Sequence, residues 1–289
     1  MPCISTWLAN PHTTIVWRVI ITYFECEEGS EIRETYLELL SQLGLHHAEL
    51  KDRQLTGFST MYCEEWKKEL MIVGRAVNGW GAPWRASDLR NAQCCIEIFN
   101  DIVSSVHDEG RGRPPMLWVS SRWGHSDYDG VTDYNTAKSA FWRVTRTVVK
   151  LLKLADIDKP TWPLSVVWTN LYKVSPHAGG NPGSKLCTLQ FKSCARLLAQ
   201  ELLHWKPQRI LMLTGMDWAK DFLHELGVHP DNLGSTKYVQ AVCSLSTEGL
   251  PATIVVAKHP QGKKESVLTD EVVEAFRLYE RQNQKPEAA

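Results

Sequence analysis

Residues 165–215 read SVVWTNLYKVSPHAGGNPGSKLCTLQFKSCARLLAQELLHWKPQRILMLTG, with two short apolar runs on either side of a longer amphipathic segment. The runs at 165–170 and 209–215 are bounded by polar or turn residues, which predicts buried strands. Apolar residues recur at helical spacing over 187–205, and Pro207 follows as a stop signal, which predicts a helix. A strand, a helix and a second strand predict a right-handed crossover between parallel strands.

The same alternation continues on both sides of this unit. Apolar runs at 70–74, 116–120 and 253–260 predict further strands, and amphipathic segments at 135–155 and 265–283 predict helices. Strands that alternate with helices predict an α/β fold in which helices cover both faces of a parallel sheet. In such a sheet, ligands bind in the crevice beyond the carboxyl ends of the strands.

The remaining segments set the organisation of the chain. We interpret it as an N-terminal extension packed on the core, a main domain, an inserted loop or lid within that domain, and a disordered tail: residues 1–65, 66–283, 111–135 and 284–289. Within the extension, 15–24 predicts a strand and 31–43 predicts a helix.

The composition limits the class of protein. Lys and Arg number 32 against 33 Asp and Glu, a net charge of −1, which argues against a protein that is basic overall but allows a local basic groove. The 12 Trp suit either a core or a face that stacks on bases. The 8 Cys include no C-x-x-C pair, so we expect reduced thiols and no metal site. With no signal peptide and no membrane-length apolar run, we expect a cytoplasmic monomer without a membrane partner.

The common nucleotide and hydrolase motifs are missing. The stretch GRAVNGWG (74–81) matches neither G-x-G-x-x-G nor G-x-x-x-x-G-K-[ST], and the chain has no G-x-S-x-G and no H-E-x-x-H. These absences argue against dehydrogenases, kinases, common hydrolases and zinc proteases.

Three motifs, in order, resemble the uracil-DNA glycosylase superfamily. Over 164–223 a strand ends in Asn170, a Lys and a Pro follow, and a helix leads to a strand that ends in Gly. Residues 74–79 match in position the superfamily's first loop, of the G-x-x-P-G or G-Q-D-P-Y-H type, and His-Pro-Gln at 259–261 matches its H-P-S motif. The resemblance covers residues 68–280 and implies a three-layer α/β/α sandwich with a central parallel four-stranded sheet.

The resemblance also assigns roles within the site. A glycosylase takes its base out of the stack and reads the base edge, and the position that does so corresponds to Asn170, whose amide both donates and accepts. Cleavage leaves negative charge on the departing base, and the donor implied to stabilise that charge is His259. Further base contacts are expected from Trp80, Gly74 and Gly79. Contacts with DNA phosphates are expected from Arg75, Lys173, Lys258, Lys263 and Lys264.

The first loop departs from the superfamily pattern. Ala76 stands where a carboxylate or an amide usually places the attacking water, and Val77 replaces the usual Pro. We expect Asn78 to orient the water instead, with an aspartate of the inserted loop, Asp127, Asp129 or Asp133, as the alternative catalytic group. Asn78 has a structural alternative as well, because an Asn ahead of Gly79 is a common left-handed turn residue.

The resemblance includes branches that hold an iron–sulfur cluster on four Cys. Here Val174 stands where a Cys follows the central Lys in those branches, and their N-terminal C-x-x-C is missing. We therefore expect no cluster and no other cofactor.

Taken together, the motifs predict a monofunctional DNA glycosylase that acts on a modified pyrimidine, flipped out of double-stranded DNA or held in single-stranded DNA, and leaves an abasic site. Members of the superfamily that excise glucosylated 5-hydroxymethylcytosine from phage DNA make antiviral defence a specific expectation. Two alternatives stay open. An inactive nucleic-acid-binding module is favoured by the loss of a polar residue at Ala76, and a hydrolase of free nucleosides or nucleotides is the other.

Overall fold

The computed structural model describes residues 27–63, 66–108, 114–124, 134–230, 236–247 and 250–283. Its α-helices are α1 Glu27–Leu45, α2 Ala92–Asp108, α3 Trp118–Ser121, α4 Ala140–Leu151, α5 Ser184–Trp205, α6 Met216–Glu225 and α7 Glu265–Asn283. Its strands are β1 Gln54–Gly57, β2 Leu70–Ala76, β3 Trp84–Arg85, β4 Val166–Tyr172, β5 Val174–Pro176, β6 Arg209–Met212, β7 Val239–Thr247 and β8 Leu250–Ala257.

The central sheet has five strands in the order β4-β2-β6-β8-β7. The first four are parallel, and β7 forms an antiparallel hairpin with β8. The predicted α/β class is confirmed, whereas the expected count of four strands misses β7. Serines alternate with apolar residues along the second half of β7, which is typical of an edge strand and gives no continuous apolar run.

Side chains alternate between the two faces of the sheet, and this alternation separates two hydrophobic clusters. On the first face, Ile72 and Trp168 pack with residues of α4 and α7, including Trp142 and Phe276. On the second face, the neighbouring strand residues pack with α1, α2, α5 and α6. Helices therefore cover both faces, and any residue of β2 or β4 can be assigned to a face from its number.

The predicted strand at 116–120 is wrong. Pro115–Leu117 forms a 3-10 turn, and Trp118–Ser121 continues it as a short helix. Pro115 fixes a helical backbone angle at the start of this segment, and buried Trp118 anchors it to the first-face cluster. The run was misread because an apolar stretch of five residues has no period that separates strand from helix.

Two predicted helices are confirmed near their expected bounds, at Ser184–Trp205 and Glu265–Asn283. The one predicted over 135–155 is shorter, at Ala140–Leu151. It is preceded by a 3-10 turn in which the backbone N–H of Ala137 donates to Oδ1 of the capping residue Asn135.

The N-terminal part of the described chain is joined closely to the core. The predicted helix at 31–43 lies within α1, which packs on α5, and the Tyr36 hydroxyl donates to the Phe58 carbonyl at 3.0 Å. Strand β1 pairs with both β3 and β5 in a small antiparallel sheet that the sequence did not predict. That sheet fixes the start of the loop after β5 beside the first loop of the domain. The strand predicted at 15–24 and the tail at 284–289 lie outside the described residues.

None of the helices in the described part of the chain combines the length and apolar character needed to cross a membrane.

Candidate functional site

A cavity of about 660 Å³ opens at the carboxyl ends of the parallel strands. Gly74 and Ala76 of β2 and Trp168 and Asn170 of β4 line it from the sheet, and His259 follows β8 on the same side. The even-numbered residues of β2 and β4 share one face, so alternation alone brings these four together. Ligand sites of globular proteins typically have volumes of about 300–1,000 Å³, and this cavity lies in that range.

Two buried hydrogen-bond donors in the cavity lining have no partner among the described residues. They are Nδ2 of Asn170, a residue that is 1% exposed, and Nε1 of Trp168, a residue that is 8% exposed. A buried polar group without a partner costs about 1–3 kcal/mol, so such groups are rare unless a ligand completes them. The arrangement therefore suits a ligand that brings hydrogen-bond acceptors to this part of the sheet.

Gly74 makes room for the Asn170 side chain. The two residues are register partners on adjacent parallel strands, and a Cβ built on Gly74 would collide with Asn170 Oδ1. Any larger residue at 74 would push the amide out of its position. The space that Gly74 leaves is thus filled by a side chain of the protein, Asn170, which also lines the cavity.

His259 presents a defined donor to the cavity. The backbone N–H of Gln261 donates to Nδ1 of His259 at 3.3 Å, which leaves the imidazole proton on Nε2. Burial, followed by the nearby charges of Arg75 and Lys263, lowers the pKa of His259 to about 4. At neutral pH the ring is therefore uncharged and still offers one N–H.

Arg75 is held in place beside His259. Its Nε donates to the Thr214 carbonyl at 2.7 Å, and its guanidinium lies 5.3 Å from the centre of the Trp218 ring. Burial lowers the pKa of Arg75, and the charge of Asp217 opposes that effect. Fixed by these contacts, Arg75 places a positive charge at the wall of the cavity.

Aromatic side chains form another wall. Trp80, Tyr134, Phe141 and Trp142 line the cavity, and the Trp80 ring lies 5.3 Å from the Trp168 ring. Trp80 also packs on buried Trp118, with 4.4 Å between ring centroids. Trp80 is partly buried: it packs against the core cluster on the first face and also lines the cavity.

An ion pair that the sequence did not reveal completes the lining. Arg143 of α4 donates from Nε to both carboxylate oxygens of Glu265, at 3.2 and 3.0 Å, and Glu265 is the first residue of α7. Both side chains are partly exposed to the cavity. The two residues lie 122 positions apart, and neither forms a motif, so no sequence signal indicated the pair.

Asn78 lines the cavity, and its side-chain oxygen is hydrogen-bonded within the protein. Its Oδ1 accepts a hydrogen bond from the backbone N–H of Gly180 at 2.6 Å, which joins the first loop to the loop after β5. The left-handed residue of the turn is Gly79, with φ +72°, so the turn role suggested for Asn78 is wrong. Gly79 itself does not line the cavity, and a Cβ there would come within 2.8 Å of the His177 carbonyl.

The prediction that Lys173 contacts DNA is wrong. The residue is fully buried, and its Nζ donates to Glu201 Oε2 at 2.8 Å, to Thr169 Oγ1 at 2.7 Å and to the Asn170 carbonyl at 2.9 Å. Lys173 is an odd number of residues from Asn170, and its side chain joins Glu201 of α5 on the second face of the sheet. A phosphate on the surface cannot reach it.

Of the other predicted DNA contacts, Arg75 lines the cavity, whereas Lys258, Lys263 and Lys264 lie outside its lining. Lys258 and Lys263 are half-buried and Lys264 is exposed, all in or beside the turn that leads from β8 to α7. The backbone N–H of Lys264 donates to the Tyr238 hydroxyl at 3.2 Å, which ties this turn to β7. Asp127 and the other two aspartates of the inserted loop lie outside the described residues, so their predicted role stays a prediction.

Within the described residues, no group of three or more His, Cys, Asp or Glu side chains is placed to hold a metal ion. No protein-family model matches the sequence, and neither does any curated protein.

Proposed function

We propose that this protein is a monofunctional DNA glycosylase of the uracil-DNA glycosylase type, which hydrolyses the N-glycosidic bond of a modified pyrimidine. One observation carries the proposal: two buried donors without partners and a neutral imidazole N–H surround a single cavity at the carboxyl ends of a parallel sheet. Helices on both faces of four parallel strands are also the arrangement that the resemblance implies.

The cavity suits a flipped base. A pyrimidine presents acceptors and donors on one edge, which the Asn170 amide can pair with, and a flat face, which the ring of Trp80 or Phe141 can cover. Gly74 leaves the amide room to face this edge. Free nucleotides and bases in DNA share this chemistry. The choice of DNA as the substrate therefore depends on the surface charges as well.

The cleavage step follows from the groups present. When the bond between N1 and C1′ breaks, its electron pair leaves with the base, and the Nε2–H of His259 donates to the negatively charged base oxygen. Water adds to C1′ and gives up a proton, and the base takes up a proton from solvent. A neutral N–H donor in a water-poor site stabilises such an anion without transferring its own proton.

The described part of the cavity lining has no unpaired carboxylate that could activate the attacking water. Ala76 has no polar group, and Glu265 is the one carboxylate among the described residues that line the cavity, where it is paired with Arg143. The Asn78 amide can orient a water molecule but cannot deprotonate it. The site therefore favours a path in which the bond to the base is largely broken before water adds.

The surface charges fit a nucleic acid in spite of the near-neutral whole chain. Arg75 lies at the cavity wall, and Lys258, Lys263 and Lys264 lie in or beside the turn that carries His259, so we expect these residues to contact phosphates near the flipped nucleotide. A local cluster of this kind steers DNA independently of net charge.

The size and polarity of the cavity favour a base with a bulky polar substituent. The Arg143–Glu265 pair and Lys138 add donors and acceptors to the lining beyond those of the Asn170 amide. Glucosylated 5-hydroxymethylcytosine of phage DNA is the specific substrate that we propose, with antiviral defence as the role.

The test uses oligonucleotides and phage DNAs with different modified bases, followed by alkaline cleavage of abasic sites. The proposal predicts strand breaks with the wild type and with Asn100→Ala, a control at an exposed position of α2, and none with Asn170→Ala. Undiminished cleavage by Asn170→Ala would refute the site assignment.

A second candidate function, an inactive nucleic-acid-binding module, is favoured by the missing polar group at Ala76. It predicts DNA binding that is weakened by Lys263→Ala, with no strand breaks on any substrate. A hydrolase of free nucleosides would instead release bases from nucleosides and leave every DNA intact.

A further inference from the structure

Trp168 carries a donor that cleavage of the glycosidic bond does not use. Its Nε1 is buried, has no partner among the described residues, and lies 3.5 Å from the point where a Cβ on Gly74 would be. Gly74, Trp168 and Asn170 all line the cavity, so the indole nitrogen lies in the same part of its wall as the Asn170 amide. An indole N–H can only donate, and no rotation about the ring converts it to an acceptor.

The ring of Trp168 is held firmly in this orientation. Its centroid lies 4.7 Å from that of Phe58, 5.0 Å from that of Trp142 and 5.3 Å from that of Trp80. Its backbone N–H and carbonyl are both bonded to Met61, each at 2.9 Å. The N–H cannot turn away to solvent, so an acceptor has to come to it.

The position of Trp168 along the strand sets which part of a base it meets. Trp168 precedes Asn170 by two residues on the same face, so its backbone lies roughly 7 Å further from the carboxyl edge where the cavity opens, while its Nε1 lies beside Gly74, the register partner of Asn170. The sugar of a flipped nucleotide stays at that opening with the DNA backbone. In a pyrimidine, C4 lies opposite N1, so C4 and the adjacent C5 enter deepest and approach Trp168.

We propose that Trp168 is a specificity-determining residue whose indole N–H donates to an oxygen on the C4–C5 edge of the flipped base, either at C4 or on a substituent at C5. The inference rests on the proposed function and narrows its substrate class to pyrimidines that are oxygenated on this edge. A C4 amino group or a C5 methyl group without such an oxygen leaves the N–H unpaired, and the site binds that base less tightly.

Binding of free bases, measured by calorimetry, tests this without depending on cleavage. Two pairs isolate the oxygen: uracil against 4-thiouracil, in which sulfur replaces the C4 oxygen while N3 keeps its proton, and 5-hydroxymethylcytosine against 5-methylcytosine for C5. The wild type is expected to prefer the oxygenated member of at least one pair about tenfold, as one hydrogen bond to a buried donor provides. The pair that shows the preference identifies the position of the oxygen.

Trp168→Phe keeps an aromatic ring and removes the N–H. It is expected to lower the affinity for the oxygenated base about tenfold and to leave its partner within about twofold. The matched control is Trp118→Phe, because Trp118 belongs to the same cluster but lies outside the cavity lining, with its Nε1 bonded to Met61 Sδ at 3.1 Å. Trp118→Phe should keep the preference, and near-ultraviolet circular dichroism checks the folding of both variants.

A preference that survives in Trp168→Phe, a wild type that favours neither oxygenated base, or binding of none of the four bases would overturn the role of Trp168. The two proposals can fail separately. Base excision from DNA without any such preference would support the glycosylase activity and contradict the role of Trp168. A Trp168-dependent preference without excision would support the binding role of Trp168 and contradict the glycosylase activity.

Discussion

At the scale of single residues, burial decides which polar side chains can serve the site. Asn170 and Lys173 belong to the same short stretch of sequence and are both buried, yet the Lys173 ammonium is fully paired while the Asn170 amide nitrogen has no partner. Because side chains alternate along a strand, the Asn170 and Lys173 side chains lie on opposite faces of the sheet. The unpaired group lies in the wall of the candidate site, and the paired group lies on the opposite face of the sheet.

His259 should make stability depend on pH. Because the folded-state pKa of about 4 is below the ordinary value of 6.5, the unfolded chain takes up a proton first as the pH falls. The stabilising effect is complete above pH 6.5 and is lost as the pH falls toward 4. We expect about 1–2 kcal/mol, less than the full linkage value because the ring is partly exposed.

Urea unfolding of wild type and His259→Gln at pH 7 and pH 4.5 measures this effect. The variant should lose less stability over that interval than the wild type. Parallel losses in the two proteins would contradict the lowered pKa.

Lys173→Ala should destabilise the fold because it leaves Glu201 buried without its partner. We expect a loss of about 3–5 kcal/mol in the free energy of unfolding, of which Lys173→Met combined with Glu201→Leu should restore a large part. The affinity for DNA of the folded fraction should not change. A stable Lys173→Ala protein with weakened DNA binding would instead support the role predicted from the sequence.

At the scale of elements, the site is assembled by loops and helices that meet across long separations. Asn78 joins the loop after β2 to the loop after β5, and Arg143 joins α4 to the start of α7. Neither junction could be predicted, because each depends on how distant segments meet. The elements themselves were easier to predict from the sequence, because β2, β4, β6 and β8 coincide with apolar runs.

Substitutions at Asn78 should separate its loop contact from its effect on water. Asn78→Asp keeps an acceptor for the Gly180 N–H and adds a carboxylate at the cavity mouth, so we expect base release to become about tenfold faster. Asn78→Ala loses both functions and should be slower than the wild type. Single-turnover rates on one modified oligonucleotide make the comparison, and equal rates for all three proteins would exclude Asn78 from water placement.

The Arg143–Glu265 pair should matter for large substrates only. Glu265→Gln weakens the junction of α4 and α7 and removes a charged acceptor from the cavity wall. We expect excision of a glucosylated base to fall about tenfold and excision of a small base to stay nearly constant. A loss of the same size for both bases would indicate a general structural effect.

At the scale of the whole molecule, the sequence predicted the α/β class and the edge of the sheet at which the cavity opens, because buried parallel strands and the polar residues after them leave a clear pattern. It did not predict β7 or the small sheet of β1, β3 and β5, whose short or alternating strands lack that pattern. The Trp168 N–H, which lacks a partner within the described chain, could not be predicted for a related reason, since a Trp within an apolar run is normally assigned to the hydrophobic core.

The charge distribution gives a prediction at the same scale. If the turn between β8 and α7 contacts phosphates, Lys263→Ala and Lys264→Ala should each reduce the slope of log affinity against log salt by about 0.7–0.9. Lys192→Ala is the matched control, because Lys192 is exposed on α5 over the other face of the sheet. Unchanged slopes in both turn variants would place the DNA elsewhere.

The most direct test of the central claim is a mass-spectrometric count of free base and abasic sites after incubation with DNA that carries glucosylated 5-hydroxymethylcytosine. The proposed function predicts that wild-type protein releases the base and forms abasic sites in equal amounts, and that Asn170→Ala forms neither. Intact DNA after incubation with the wild type, or equal release by Asn170→Ala, would contradict it.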